Sequence, residues 1–142
     1  MSLSEFRTQV IINASVQEVW RELVNWQRQG EWMALTKVES SDVGADDSGV
    51  GTTIDAFTGI GPFGVLDKMK VVKWEPPFFC RVDHYGRVIK GVGEFRLSDL
   101  DGKTRFDWYE EIRAPRPILL LIKPFVLLAV NFSLRKFARS FI

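Results

Sequence analysis

The alternation of apolar and polar positions predicts that most of the chain is β-strand. Residues 6–12 alternate as a first strand, with Phe6, Thr8, Val10 and Ile12 on one face. Beyond residue 35, strand-like segments are separated by glycine, proline and Asp-Gly turns. There are six of them: residues 36–43, 51–58, 65–74, 78–85, 88–97 and 104–112. Consecutive strands with short turns predict an antiparallel sheet, one face of which must be covered.

Two short helices are predicted between the first strand and the second. Ser15 followed by Glu18 is a capping box, in which the hydroxyl and the carboxylate satisfy backbone amides at the start of a helix. Helical spacing then places four apolar residues on one face: Val16, Val19, Trp20 and Leu23. Residues 26–32 are predicted to form the second helix, bounded near Gly30.

A long C-terminal helix is predicted from Pro117 onward, because proline suits a first helical turn. Pro124 is expected to kink or restart it. Beyond Pro124, one apolar stripe is predicted to face the sheet: Leu127, Val130, Leu134, Phe137 and Phe141. A second set falls on roughly the opposite side: Phe125, Leu128, Ala129 and Phe132. The apolar run 118–134 is interrupted and shorter than the roughly 20 residues of a bilayer span, so we expect no membrane crossing.

Charge is distributed unevenly, although the net charge is only +1. All acidic residues lie at or before Glu111, whereas the last thirty residues carry six basic side chains and no acidic one. A solvated basic helix face is the simpler interpretation, and orientation on a charged surface is the alternative. Basic residues do not interleave with the aromatic ones, so no nucleic-acid partner is expected. A single cysteine and the lack of a signal-peptide pattern favour a cytoplasmic protein.

Five motifs follow one another over nearly the whole chain: ASVQEVW at residues 14–20, Trp32, WEPP at 74–77, FRL at 95–97 and DGKTRF at 101–106. In this order and spacing they resemble the START-like (SRPBCC) superfamily, specifically its polyketide cyclase/dehydrase-like branch. The resemblance implies a single α+β domain over residues 1–142 with a helix-grip fold. In that fold a curved antiparallel seven-stranded sheet wraps around the C-terminal helix, and two short helices follow the first strand. It implies a cavity without specifying a reaction.

Strand alternation places a few polar residues on the predicted inner face. His84 and Glu110 are candidates for acid/base catalysis if both reach one substrate. In the alternative, Glu110 pairs with a neighbouring Lys or Arg and His84 lies in solvent near Gly86. Ligand-binding residues are predicted from the sheet, the short helices and the C-terminal helix: Trp32, Phe57, Met69, Val82, His84, Phe95, Trp108, Glu110, Leu127, Val130 and Leu134.

Other chemistries are not supported by the residues present. One histidine and one cysteine cannot make a conventional zinc site, and no cofactor is expected. Cys80, within a predicted strand, is interpreted as a small core residue rather than a nucleophile. The glycine-rich segment 59–64 lacks the Lys-Ser/Thr of a phosphate loop and is expected to be a flexible hairpin loop at the cavity mouth.

Two classes of function stay open. The favoured one is non-catalytic binding of a hydrophobic small molecule, such as a lipid, an isoprenoid or a polyketide-like compound. The alternative is an aromatase/cyclase- or dehydratase-type enzyme that uses the same cavity. The outer stripe of Phe125, Leu128 and Phe132 is expected to pack under the short helices and the 59–64 loop. Otherwise, with Arg135, Lys136 and Arg139, it contacts a second copy of the chain or a membrane surface.

Overall fold

The computed structural model describes residues 2–41 and 49–141 and contains the predicted element order. The strands are β1 (Ser2–Ile12), β2 (Thr36–Ser41), β3 (Thr53–Ile60), β4 (Phe63–Glu75), β5 (Phe79–Tyr85), β6 (Lys90–Leu100) and β7 (Lys103–Ala114). The helices are α1 (Val16–Leu23), a short 3₁₀ helix (Trp26–Glu31) and α2 (Arg116–Arg139). Residues 42 and 43 of the predicted second strand, and residues 44–48 of the turn after it, lie outside the described residues.

The strands form one antiparallel sheet in the order β1-β7-β6-β5-β4-β3-β2. The hairpin between β6 and β7 turns at Asp101 and Gly102, both with positive φ, as the Asp-Gly pair predicts. The expectation of a flexible loop over residues 59–64 is wrong. Gly59 pairs with Gly64 and Ile60 with Phe63, so the ladder continues to a two-residue turn.

The short helices cover one end of the sheet. The Ser15 hydroxyl accepts a hydrogen bond from the Glu18 amide at 3.3 Å, which caps α1 as predicted. The Glu18 carboxylate, predicted to bind a backbone amide, instead accepts a hydrogen bond from the Ser15 hydroxyl at 3.1 Å, so the second half of the predicted capping box is wrong. The predicted apolar face of α1 is buried: Val16, Val19, Trp20 and Leu23. The core beneath it joins α1 and the sheet to the end of α2, where the Trp32 and Phe137 rings lie 4.6 Å apart between centroids.

The C-terminal helix α2 is one uninterrupted helix of 24 residues that includes Pro124, so the expected restart there is wrong. Pro124 lies on the exposed side of α2, where a carbonyl without its intrahelical donor can be hydrated. The expectation that the apolar segment of α2 is too short to span a bilayer is wrong as well. By length and composition α2 could cross a bilayer, although helices in soluble cores pass the same test.

The face that α2 turns to the sheet is shifted from the predicted stripe. Its buried residues are Leu119, Ser133, Leu134 and Phe137, with Ile122, Val126 and Val130 half-buried between them. Leu127 is 40% exposed, so its predicted inward orientation is wrong: it lies one residue, about 100° of helix rotation, beyond Val126. Ala129, predicted on the outside, is half-buried. The Thr8 hydroxyl on β1 hydrogen-bonds Asn131 and ties α2 to the sheet edge.

Candidate functional site

A cavity lies between the concave face of the sheet and α2, in two chambers. The outer chamber has a volume of about 350 Å³ and is lined mainly by apolar side chains, including Ile89, Ile122, Val126 and Val130. The inner chamber, of about 70 Å³, extends toward Trp26, Val82 and Phe95. Six residues line both chambers and mark their junction: Met33, Thr36, Thr58, Asp67, Trp108 and Glu110.

Three ionisable side chains meet beside this junction because their strands turn the same face inward. Asp67 projects from β4, His84 from β5 and Glu110 from β7. Nδ1 of His84 lies 2.8 Å from Oδ1 of Asp67, and Nε2 lies 3.7 Å from Oε1 of Glu110. The sequence-based alternative, with His84 in solvent and Glu110 on a Lys or Arg, is wrong: the residue His84 is 4% exposed, and it faces Glu110.

The environment of these groups changes their proton affinity. Burial alone would lower the pKa of His84, but the Glu110 charge and the hydrogen bond and charge of Asp67 outweigh it and raise that pKa to about 9. Burial raises the pKa of Glu110 to about 7, opposed by the His84 charge and assisted by Asp67. Both shifts favour the protonated forms, so the site favours a protonated imidazole beside a carboxyl group whose pKa lies close to neutral pH.

One glycine on β6, Gly93, makes room for this pair. Gly93 stands opposite Val82 on β5 and opposite Glu110 on β7. A Cβ at Gly93 would lie 3.4 Å from Nε2 of His84 and 3.6 Å from Oε1 of Glu110. A larger side chain there would occupy the space through which the imidazole and the carboxyl group approach each other.

The profile of the family described as "Polyketide cyclase / dehydrase and lipid transport" matches residues 4–141, almost the whole chain. The chain belongs to this family. The predicted resemblance to the polyketide cyclase-like branch is thereby confirmed. The search of curated protein sequences found no match.

Solved structures share this family's architecture at low sequence identity. The Zhui aromatase/cyclase from Streptomyces sp. R1128 is 12% identical with a TM-score of 0.74, over 97% of this chain and 95% of that one. A norcoclaurine synthase mutant from Thalictrum flavum, solved with a transition-state analogue, is 12% identical with a TM-score of 0.72, over 98% and 94%. The di-domain aromatase/cyclase StfQ of the steffimycin pathway is 9% identical with a TM-score of 0.76, and the match covers 98% of this chain but 50% of StfQ. These similarities confirm the helix-grip fold, a fold of hydrophobic ligand-binding proteins.

Most of the predicted ligand-binding residues lie in or next to the cavity of this family member. Five line the inner chamber: Met69, Val82, Phe95, Trp108 and Glu110; Val130 lines the outer one. His84 is buried beside Glu110. Trp32 and Leu134 are buried in the core and line neither chamber.

Two predicted residues lie away from the cavity. Leu127 points outward from α2, as described above. Phe57 is also misplaced: Ile54, Ala56 and Thr58 on β3 face the inner chamber, so strand alternation turns Phe57 to the other side. There it lines a separate cavity of about 500 Å³ together with Leu35, Phe132 and Lys136.

Asp67 is the most important residue that the sequence reasoning missed. It lies two residues before Met69, which was predicted to face inward, so the same alternation could have identified it. Trp74 gives the opposite indication. It packs on Trp20 inside the domain, although strict alternation along β4 would place residues 67 and 74 on opposite faces of the sheet. A register shift between Val71 and Lys73 reverses the alternation and reconciles the two.

Cys80 and the possibility of a metal site were the other chemistries that the sequence raised. Burial raises the pKa of Cys80 to about 12, so its thiol is not a nucleophile near neutral pH. Within residues 2–41 and 49–141, no group of three or more His, Cys, Asp or Glu side chains is arranged to hold a metal ion. Asp67, His84 and Glu110 supply the site with groups for hydrogen bonding and proton transfer.

Proposed function

We propose that the protein binds a hydrophobic small molecule without catalysing a reaction on it. The molecule would lie in the outer chamber with one polar end at the junction of the chambers. The observation that carries the proposal is this asymmetry: an apolar space of about 350 Å³ that ends at Asp67, Trp108 and Glu110. Apolar walls favour a ligand through desolvation, and a few polar groups set its orientation. Lipids, isoprenoids and polyketide-like compounds have this shape.

The polar end of the ligand is expected to be a hydrogen-bond acceptor. The indole Nε1 of Trp108 and Nε2 of His84 are buried and have no hydrogen-bond partner among the residues that the structure describes. Both are donors when His84 is protonated, and a buried donor without an acceptor costs about 1–3 kcal/mol. A carbonyl or carboxylate oxygen at the junction would remove that cost. An apolar ketone or acid therefore fits better than a hydrocarbon.

The second candidate function is acid/base catalysis in the same cavity. The observation that favours it is the approach of His84 and Glu110, at 3.7 Å, in a cavity that a substrate could enter. Two of the similar solved structures are aromatase/cyclases and one is a norcoclaurine synthase. In this role Glu110 would exchange a proton with the substrate while His84 stabilises its anionic form.

Titration with the fluorescent naphthalene ketone Prodan tests the binding proposal. We expect Trp108→Phe to weaken binding roughly fivefold, which corresponds to one lost hydrogen bond of about 1 kcal/mol. The matched control is Trp32→Phe, because the Trp32 Nε1 is equally buried and unpartnered among the described residues, but Trp32 lines neither chamber. No Prodan binding by the wild-type protein, or equal losses in both variants, would contradict the proposal.

Mass spectrometry of the protein purified from its own host separates binding from catalysis. On the binding proposal a hydrophobic compound co-purifies, and its mass does not change during incubation with the protein. A change in its mass that is lost in Glu110→Gln would overturn the non-catalytic proposal in favour of the enzyme. Glu110→Gln is expected to keep Prodan affinity within about threefold, because the amide retains the hydrogen-bonding shape of the protonated carboxyl group.

The proposal also includes the partners and location of the protein. Besides the small molecule, we propose a partner for the exposed apolar side of α2, which would be a membrane surface or a second copy of the chain. We propose a cytoplasmic location with contact to a membrane surface. The exposure of that side and the basic residues around it support the surface contact. The single cysteine supports the cytoplasmic location.

A further inference from the structure

We propose that the outer side of α2 docks on a bilayer with anionic headgroups and that the ligand enters the cavity from there. This inference rests on the proposed binding function and adds where the ligand comes from. The docking face consists of Leu120, Leu121, Phe125, Leu128 and Phe132. Four of these residues follow one another at helical spacings of four, three and four, so they form one continuous stripe.

The docking face is much more exposed than a core helix allows. Its five side chains are between 56% and 70% exposed. In the most apolar 18-residue window of α2, only 17% of the residues are buried. Neither the short helices nor the β3–β4 turn covers the stripe, which contradicts the packing expected from the sequence. An apolar patch of this kind marks a contact surface.

A second apolar element lies beside the docking face. At the β3–β4 turn, Ile60 and Phe63 are 71% and 81% exposed. Gly59 and Gly61 of this turn region line one cavity together with Phe132 and Lys136 of α2, so the turn and the docking face are neighbours. Two neighbouring apolar elements can enter the same interface region of a bilayer.

The cavity opens at this surface. Leu121 and Phe125 belong to the docking face and also line the outer chamber, together with Val65 of β4. A bilayer in contact with the docking face would therefore meet the mouth of the cavity. A hydrophobic molecule could then pass between lipid and protein with little exposure to water.

Charge identifies the lipid as anionic. Arg135, Lys136 and Arg139 are exposed on α2 and lie on or next to the stripe by helix rotation, and the chain has no acidic residue from Arg113 to Ile142. None of these three makes an ion pair with a described residue. Each basic residue near an anionic surface contributes attraction, whereas a symmetric dimer through this face would bring like charges together. The charge pattern thus favours lipid over a second copy of the chain.

The opposite side of α2 is already occupied, so the docked helix would lie along the membrane rather than cross it. Leu119, Leu134 and Phe137 are buried against the domain, and Asn131 is bonded to Thr8 of β1. A transmembrane orientation would require these contacts to break. Docking through one face leaves the fold intact.

Vesicle co-sedimentation of the full chain tests the proposal. The wild-type protein should bind phosphatidylcholine vesicles that contain phosphatidylglycerol, bind pure phosphatidylcholine vesicles weakly, and dissociate at high salt. Leu128→Ser/Phe132→Ser should reduce binding at least about tenfold, because two large apolar side chains no longer enter the lipid. Neither residue lines the two chambers, so Prodan binding in solution should be unchanged.

The matched control is Ile11→Ser/Leu100→Ser. Both residues are about half exposed and lie toward the other end of the sheet, near the β6–β7 turn. Equal loss of vesicle binding in the control, no binding by the wild type, or protein resistant to alkaline carbonate extraction would overturn docking. A dimer in analytical ultracentrifugation that Leu128→Ser/Phe132→Ser dissociates would overturn it as well. If the wild-type protein binds Prodan but not vesicles, only the docking proposal is contradicted. If the wild-type protein does not bind Prodan, the proposed binding function is contradicted.

Discussion

His84 and Glu110 face each other across Gly93, with Nε2 of the imidazole 3.7 Å from Oε1 of the carboxyl group. They come from strands β5 and β7, which are not neighbours in the sheet. The intervening strand contributes a glycine at this point, and the absent side chain allows the two groups to approach. The cavity therefore contains a coupled acid/base pair, which affects both stability and ligand recognition.

The first prediction concerns the pH dependence of stability. The folded-state pKa values of His84, about 9, and Glu110, about 7, are raised above their ordinary values, so both groups bind a proton more tightly in the folded chain. Their stabilising contribution is complete below the unfolded-state pKa and is lost as pH rises through the folded-state pKa. We expect the free energy of unfolding in urea to fall by on the order of 1–3 kcal/mol between about pH 6 and pH 9.

Glu110→Gln should flatten this dependence, because it removes one titrating group and much of the charge that raises the pKa of His84. The measurement is a series of urea titrations at several pH values for both proteins. A free energy of unfolding that rises toward pH 9, or an equal slope in the variant, would contradict the assignment.

The second prediction concerns Gly93. In Gly93→Ala the new methyl group would lie 3.2 Å from Cγ2 of Val82 and 3.4 Å from Nε2 of His84, so these side chains must move by a few tenths of an ångström. We expect the separation from Glu110 to grow and the pKa of His84 to fall. His84 is the chain's single histidine, so NMR of its ring protons during a pH titration reports this pKa directly.

Gly102→Ala is the control for that experiment. Gly102 has φ +89 and no atom within 4 Å of an added Cβ, so the change introduces backbone strain remote from the cavity. It should lower stability by about 1 kcal/mol and leave the pKa of His84 unchanged. An equal shift of that pKa in both variants would show that general destabilisation, not steric separation, is responsible.

The third prediction concerns the size of the outer chamber. Ala129 lines this chamber, whereas Leu127, two residues earlier on α2, points to solvent. Ala129→Phe should fill the chamber and reduce Prodan affinity at least about tenfold, since displaced apolar contact is worth more than 1 kcal/mol. Leu127→Phe should bind as the wild type does, with circular dichroism to verify folding. Equal affinity of both variants would exclude the outer chamber as the binding site.

The fourth prediction concerns the end of α2. Phe137 is fully buried, with its ring against Trp32, Phe106 and Phe141. Phe137→Ala should lower the free energy of unfolding by about 3–5 kcal/mol because it leaves a cavity in the core. Phe125→Ala, on the exposed side of the same helix, should change it by less than about 1 kcal/mol. Chemical denaturation measures both, and a similar cost for the two variants would contradict the orientation of α2.

The helix α2 shows which parts of the site the sequence could predict and which it could not. The spacing of apolar residues predicted a helix with two apolar sides, and Val130, Leu134 and Phe137 were placed correctly on the inner side. Leu127 and Ala129 were exchanged, because 3.6 residues per turn make neighbouring phases hard to distinguish without knowing the surface that the helix meets. The sequence also could not show that the outer stripe stays uncovered, since that depends on how short the β3–β4 turn is.

The sequence by itself determined the order of strands and helices, the Asp-Gly hairpin and the cap of α1, because alternation, turn residues and capping act between residues close together in the chain. It also placed His84 and Glu110 on the inner face. Only the tertiary structure decided that Asp67 lies within hydrogen-bond distance of His84 and that Gly93 leaves the space between His84 and Glu110. It also decided that the β4 register shift turns Asp67 and Trp74 to the same side. These relations depend on pairing across strands, and pairing distances are not encoded in any local pattern.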